Sequence, residues 1–172
     1  MSREERTDRD TAAVILTSAK EQFLKGSYEK ATLRAICAGA GVSTGAFYYN
    51  YHNKEALFAA LVDPTLRQLE QRFAEHRPDA DILPFLFEHR DGLRLLLEHA
   101  EGSRYEDYPR RLREHAGRRL RKYAEQALGE APDEALVGIL SDMYCSALKG
   151  FANLDVSPEE MARLAEQLSR LT

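Results

Sequence analysis

The feature that most constrains this chain is the spacing of its apolar residues, which recur at three- and four-residue steps over nearly the whole length. Leu16, Ala19 and Phe23 make one such run, Leu57, Leu61, Leu69 and Phe73 another, and Leu112, Ala116, Leu120 and Tyr123 a third. That period places apolar groups on one face of a helix, and no stretch alternates as a half-buried strand would. Turn and capping residues interrupt it at Gly26-Ser27, from Gly39 to Ser43, at His52-Asn53, Arg77-Pro78-Asp79 and Gly102-Ser103, from Gly129 to Pro132 and from Asp155 to Pro158. These breaks predict helices over 8–25, 32–39, 43–50, 53–76, 81–100, 106–128, 132–153 and 157–171. The fold class is all-α.

Composition narrows the function. With 172 residues, 44% hydrophobic and 30% charged, the chain can bury a core and is not disordered along most of its length. The opening MSREERTDRD lacks the apolar stretch of a leader, and no window approaches eighteen consecutive apolar residues. A cytoplasmic protein with no membrane partner is expected. Cys37 and Cys145 have no CxxC or His companion and read as reduced, buried, small hydrophobes. A carboxylate-bridged metal in a helical bundle needs Glu-x-x-His pairs, and none occurs. His76, His89, His99 and His115 each follow a Glu directly, and adjacent helical residues diverge by about 100°. Neither a P-loop, a G-x-S-x-G nor a dinucleotide fingerprint is present, so no enzyme, metal or cofactor is expected.

The most informative stretch runs from Thr32 to Lys54. Thr32 can cap a helix of about two turns carrying Leu33, Ile36 and Cys37 as its apolar stripe. The following Ala38-Gly39-Ala40-Gly41-Val42-Ser43 supplies glycines for a sharp turn, and Ser43 or Thr44 can cap a second short helix. On that helix Val42, Phe47 and Tyr51 point to the core, leaving Thr44, Gly45, Tyr48, Tyr49 and Asn50 for the outward side or rim. A helix too short to stand alone, held by two others and showing small, polar and aromatic groups, suits a major groove about 12 Å wide. The unit reads as a helix-turn-helix, with duplex DNA as its partner. Charge agrees locally: residues 1–54 carry 8 Lys and Arg against 6 Asp and Glu, whereas residues 55–172 carry 16 against 22.

The run from Ile15 to Phe58, with Ala19, Phe23, Gly26, Thr32, Ile36, GVSTGAFYYNY and HNKEALF, resembles the N-terminal DNA-binding domain of TetR-family transcriptional regulators. It covers about a third of the chain and departs from the commonest pattern at Cys37, Asn50 and Tyr51. The resemblance implies a homodimeric, all-α regulator, a repressor released from its operator by a small-molecule effector. Residues 1–54 would form a three-helix DNA-binding domain and residues 55–172 a helical domain for effector binding and dimerisation. The competing function is a helical adaptor whose helix-turn-helix has turned to binding protein.

Affinity for duplex DNA comes from neutralised phosphates and specificity from base edges. Lys54, opening the fourth helix, combines an ammonium with free helix amides, and the matching position in the family contacts the backbone. Thr32 has the same double role, Tyr48 and Tyr49 can reach a phosphate and a thymine methyl, and Gly45 lets the backbone approach. Thr44 and Arg34 are candidates for base edges, Arg34 because its guanidinium can donate twice to one guanine. Ser43 and Asn50 complete the DNA-facing set. Each has a structural competitor: an aromatic pair can simply pack, and a lysine can be an ordinary solvated one.

In the remainder, Pro64 inside the fourth helix predicts a kink or break near Ala60 to Pro64. Phe85, His89, Tyr105, Tyr123, Met143 and Tyr144 are candidates for an apolar effector pocket, with core packing as the alternative. The basic run Arg110, Arg111, Arg113, Arg118, Arg119, Arg121 and Lys122 reads as a solvated face paired with Glu. Leu136, Leu140, Met143, Ala147, Gly150 and Leu154, with Met161, Leu164, Ala165, Leu168 and Leu171, form two stripes on helices 132–153 and 157–171. Together these two helices are the expected homodimer interface.

Overall fold

The computed structural model describes residues 3–74 and 82–169, and every regular element among them is a helix. In order these are α1 (Arg3–Gly26), α2 (Leu33–Ala40), α3 (Thr44–Asn50), α4 (Lys54–Ala74), α5 (Ile82–Glu88), α6 (Arg90–Glu98), α7 (Tyr108–Leu128), α8 (Glu134–Ala152) and α9 (Pro158–Ser169). The Pro78 turn and Leu171 lie outside the described residues, as do the side chains of Met161, Ala165 and Leu168.

Two elements differ from the spacing. The single helix predicted over 81–100 is two, parted at His89, because its halves have different partners: α5 packs on α8 and α9, while Gly92 of α6 meets α4. A Cβ at Gly92 would lie 2.0 Å from Thr65 Oγ1, so only glycine permits that approach. The apolar period runs through both halves and hides the change. The fourth helix, in turn, is unbroken at Pro64. The lost amide bond costs up to about 3 kcal/mol, and burial of Val62, Thr65 and Leu69 on either side of the proline offsets it.

The chain packs as two compact units, one of residues up to 77 together with Asp91–Glu106, the other of residues 78–90 and Asp107 onward. In the first, α1 packs on α2, α3 and α4 around Ile15, Ala19, Phe23, Ile36, Phe47, Leu57 and Phe58, all fully buried. Each such side chain contributes about 1.5–3 kcal/mol by leaving water. In the second, α7 lies along α8, where Gly117 brings the helices close enough that a Cβ would sit 3.2 Å from Ser141 Oγ. Arg113 bridges to Asp142 at 2.5 Å and Arg121 to Glu134 at 2.6 Å across the same pair. With Arg110 held by Asp107 and Glu114, and Arg119 over the Tyr123 ring, much of the basic run is a solvated, paired face.

Candidate nucleic-acid interface

The helix-turn-helix is shaped by its caps and by one close crossing. The Thr32 hydroxyl accepts the Ala35 amide at 3.2 Å and starts α2. Gly41, with φ 66°, ends it in the left-handed region that a side chain would disfavour. Ser43 Oγ then accepts the Ala46 amide at 3.1 Å and starts α3. Eight and seven residues are too few for stable isolated helices, so α1 has to hold both. It does so at Ser18, which donates to the Ile36 carbonyl at 2.9 Å, beside Gly39, whose missing Cβ would stand 2.5 Å from Ser18 Oγ. Phe47 anchors α3 from below, and the Tyr51 hydroxyl donates to the Ala12 carbonyl at 3.4 Å. Val42 and Tyr51 are half-buried, as an inward orientation requires.

These anchors leave the other side of α3 bare. Tyr48 is 53% exposed and Tyr49 74%, beside exposed Thr44 and Gly45, while Thr32 and Arg34 of α2 are also exposed. Asn50 is turned back, donating to the Ala46 carbonyl at 2.8 Å, and Ser43 spends its hydroxyl as a cap. Residues 31–54 contain no Asp or Glu. The surface therefore offers a guanidinium, hydroxyls and aromatic rings without a local acid to repel phosphate.

Lys54 has an occupation that its position on α4 does not suggest. Its ammonium donates to the Tyr28 carbonyl at 2.8 Å and the Ala31 carbonyl at 3.1 Å and lies 4.2 Å from the centroid of the Tyr28 ring. Desolvation lowers its pKa, with Glu55 and Glu29 acting in the opposite sense. The lysine thus ties the turn that precedes the Thr32 cap, and Asn53 caps α4 by accepting the Ala56 amide at 2.7 Å. Tyr28 packs edge-on against Phe58, 5.1 Å between centroids. Burial, followed by the hydrogen bond to Glu55, pushes its phenol up to about 12.

Sequence spacing missed what completes this unit. Residues 91–106 belong to it: the Tyr28 amide donates to the His99 carbonyl at 2.8 Å and Lys20 pairs with Asp91 at 2.8 Å. The Arg104 guanidinium lies 3.7 Å from Glu55 and 3.5 Å from Asp63, and the Tyr105 hydroxyl donates to Asp63 at 2.5 Å. Burial and the Asp63 hydrogen bond raise the Tyr105 phenol to about 12, although Arg104 opposes them. These partners lie 40 or more residues apart in the chain, and no local period signals them.

The six candidate pocket residues divide. Tyr105 belongs to the first unit, its hydroxyl committed to Asp63, while the other five belong to the second. There Phe85 is buried with its ring 4.6 Å from that of His89, Tyr144 is half-buried, and Tyr123 and Met143 stand on the surface.

A short helix held across two others, with its free side bare, is the architecture of a helix-turn-helix head, here joined to a helical body. Residues 15–61 match the model of the bacterial regulatory proteins of the tetR family. The Escherichia coli transcriptional regulator UidR is 30% identical over 76 residues, 44% of this chain and 37% of that protein. TtgR of Pseudomonas putida is 39% identical over 54 residues, 31% and 26% of the two chains. The matched segments thus span well under half of these curated relatives. Among solved structures, a regulator from Aquifex aeolicus superposes with a TM-score of 0.57 over 94% of this chain and 99% of its own, at 20% identity. A gamma-butyrolactone receptor gives 0.60 over 85% and 76%, at 25% identity. By its head and its fold, the chain belongs to the TetR family.

Proposed function

We propose that the protein is a DNA-binding transcriptional regulator, a dimeric repressor released from its operator by a small molecule. The observation that carries this reading is the exposed face of α3 with Thr32 and Arg34 beside it, held by caps and a close crossing and free of acids. Thr32, Ser43, Tyr48, Tyr49 and Asn50 position the head and meet phosphates, while Arg34 and Thr44 reach base edges. Lys54 serves chiefly by fixing the turn before α2, with one donor left for a phosphate. In this division by role the boundary between head and body falls at residues 54 and 55.

Dimerisation rests on α8 and α9. Ile139 is 58% exposed and Met143 62%, with exposed Ala147, Gly150 and Leu154 continuing the stripe and Leu164 exposed on α9. By length and composition α8 could cross a bilayer, but its ion pairs with α7 and its bare apolar face suit a second copy of the chain. Two heads related by a two-fold axis would read half-sites about 34–36 Å apart, or a multiple of that spacing. The effector would be taken by the C-terminal unit, near Phe85, His89 and Tyr144. Its class follows no further than an apolar molecule with a polar handle. Release requires that it bind better to a dimer whose heads no longer match the operator.

Selection of bound duplexes from a random pool, followed by binding at several salt concentrations, tests the reading. A recurrent two-fold sequence bound tenfold or more above random DNA supports it; indifference to every duplex in dilute buffer refutes it.

A further inference from the structure

Glycine at position 45 has no explanation inside the protein. It lies in the first turn of α3, its φ is outside the left-handed region, and a Cβ there would meet only Ser43 Oγ, at an ordinary 3.7 Å. Alanine would fit and would favour the helix by about 1 kcal/mol. Gly39 and Gly92, by contrast, are each required by a neighbouring hydroxyl. What Gly45 leaves room for must come from outside.

The surroundings of that space say what it takes. Tyr49 is four residues on and Tyr48 three, so both rings flank the glycine on one helical face, and Thr44 adds a methyl and a hydroxyl. The helix Thr44–Asn50 carries no Arg, Lys or Gln to donate twice to guanine or adenine, and its one amide, Asn50, is turned onto Ala46. A surface so poor in free donors, yet with small and aromatic groups around a gap the size of a methyl, matches one feature of the major groove: the C5-methyl of thymine. We propose that α3 reads thymine by its methyl group, seated over Gly45 between Thr44, Tyr48 and Tyr49. Polar base readout then falls to Arg34 on α2. The inference rests on the DNA-binding reading above and adds to it the chemistry of the operator: thymine-bearing half-sites, and discrimination against duplex RNA.

The test replaces thymines of the selected operator, one at a time, with deoxyuridine, which keeps the base pair and deletes only the methyl. Affinity is expected to fall about fourfold for each seated methyl, at the same position in both half-sites. Gly45→Ala is expected to melt at the same or a higher temperature, to bind the thymine operator at least tenfold more weakly, and to be indifferent to uracil at those positions. That non-additivity marks the methyl and the Cβ as rivals for one space. Specific binding that is insensitive to uracil at every thymine, or a Gly45→Ala variant of unchanged affinity, overturns the proposal and leaves the DNA-binding reading standing. Absence of any duplex-specific binding sinks both.

Discussion

The helix-turn-helix head and the α7–α9 body spend their residues differently. In the head every short helix is capped, its core aromatics are wholly buried, and the groups left outside are small, hydroxylic or aromatic. In the body the ion pairs lie on the surface, where such pairs contribute at most about 1 kcal/mol each, and the exposed groups include a stripe of Ile139, Met143 and Leu154. The head therefore holds its shape within one chain, whereas the body leaves an apolar face for a second chain to cover. The difference separates what reads DNA from what makes the reading two-fold.

The sharpest way to break that contrast is to charge the body's stripe. Met143→Glu places a carboxylate at the centre of the apolar face while touching nothing buried. Sedimentation is expected to show a monomer with helical content unchanged. Binding to a two-fold operator then weakens by a hundredfold or more, because the second head no longer binds as part of the same molecule. A dimer that survives Met143→Glu with full affinity places the interface elsewhere.

The converse change disturbs the head and spares the body. Gly39→Ala drives a methyl against Ser18 Oγ in a packed crossing, an overpacking that costs about 1–3 kcal/mol. Operator binding is lost in proportion, and the oligomeric state stays as it was. Adding Ser18→Ala removes the atom in the way and recovers part of the melting temperature, although it gives up the bond to the Ile36 carbonyl.

How far the sequence foretold these regions follows the same divide. Thr32, Ser43, Phe47 and the outward Tyr48 and Tyr49 were legible because caps and helical spacing are local properties, written within four residues of where they act. The role of Lys54 was not, since its two carbonyl partners lie 23 and 26 residues upstream. Nor was the inclusion of residues 91–106 in the head's unit, or the parting of α5 from α6, because both depend on which distant helix each apolar face meets. The effector candidates suffered most: aromatic residues at helical spacing look alike whether they end up buried, as Phe85 does, or exposed, as Tyr123 does.

Lys54 allows the head to be probed more finely. Were it mainly a phosphate ligand, Lys54→Met would weaken binding and flatten the salt dependence by about one counterion. With its ammonium on the Tyr28 and Ala31 carbonyls, the expected outcome is a loss of about tenfold on the operator with the salt slope nearly unchanged and the melting temperature lowered. Arg34→Ala serves as the control, since an exposed guanidinium at the interface should change the slope or the preferred sequence without changing stability.

The smallest effect concerns Ser27, next to the turn that Lys54 ties down. Its φ of 99° lies in the region that suits glycine, and its hydroxyl is buried with no hydrogen-bond partner. Strain of that kind costs about 1–3 kcal/mol, and an unsatisfied buried hydroxyl adds to it. Ser27→Gly removes both and gives back part of the gain through the greater freedom of the unfolded chain. A net stabilisation of about 1 kcal/mol is expected, read as a rise of a few degrees in the melting temperature. Operator affinity should not move, because Ser27 is buried away from the exposed face of α3. A destabilised Ser27→Gly would mean that the hydroxyl contributes a contact worth more than the strain it imposes, and that the head tolerates its one left-handed non-glycine among the described residues for a structural reason.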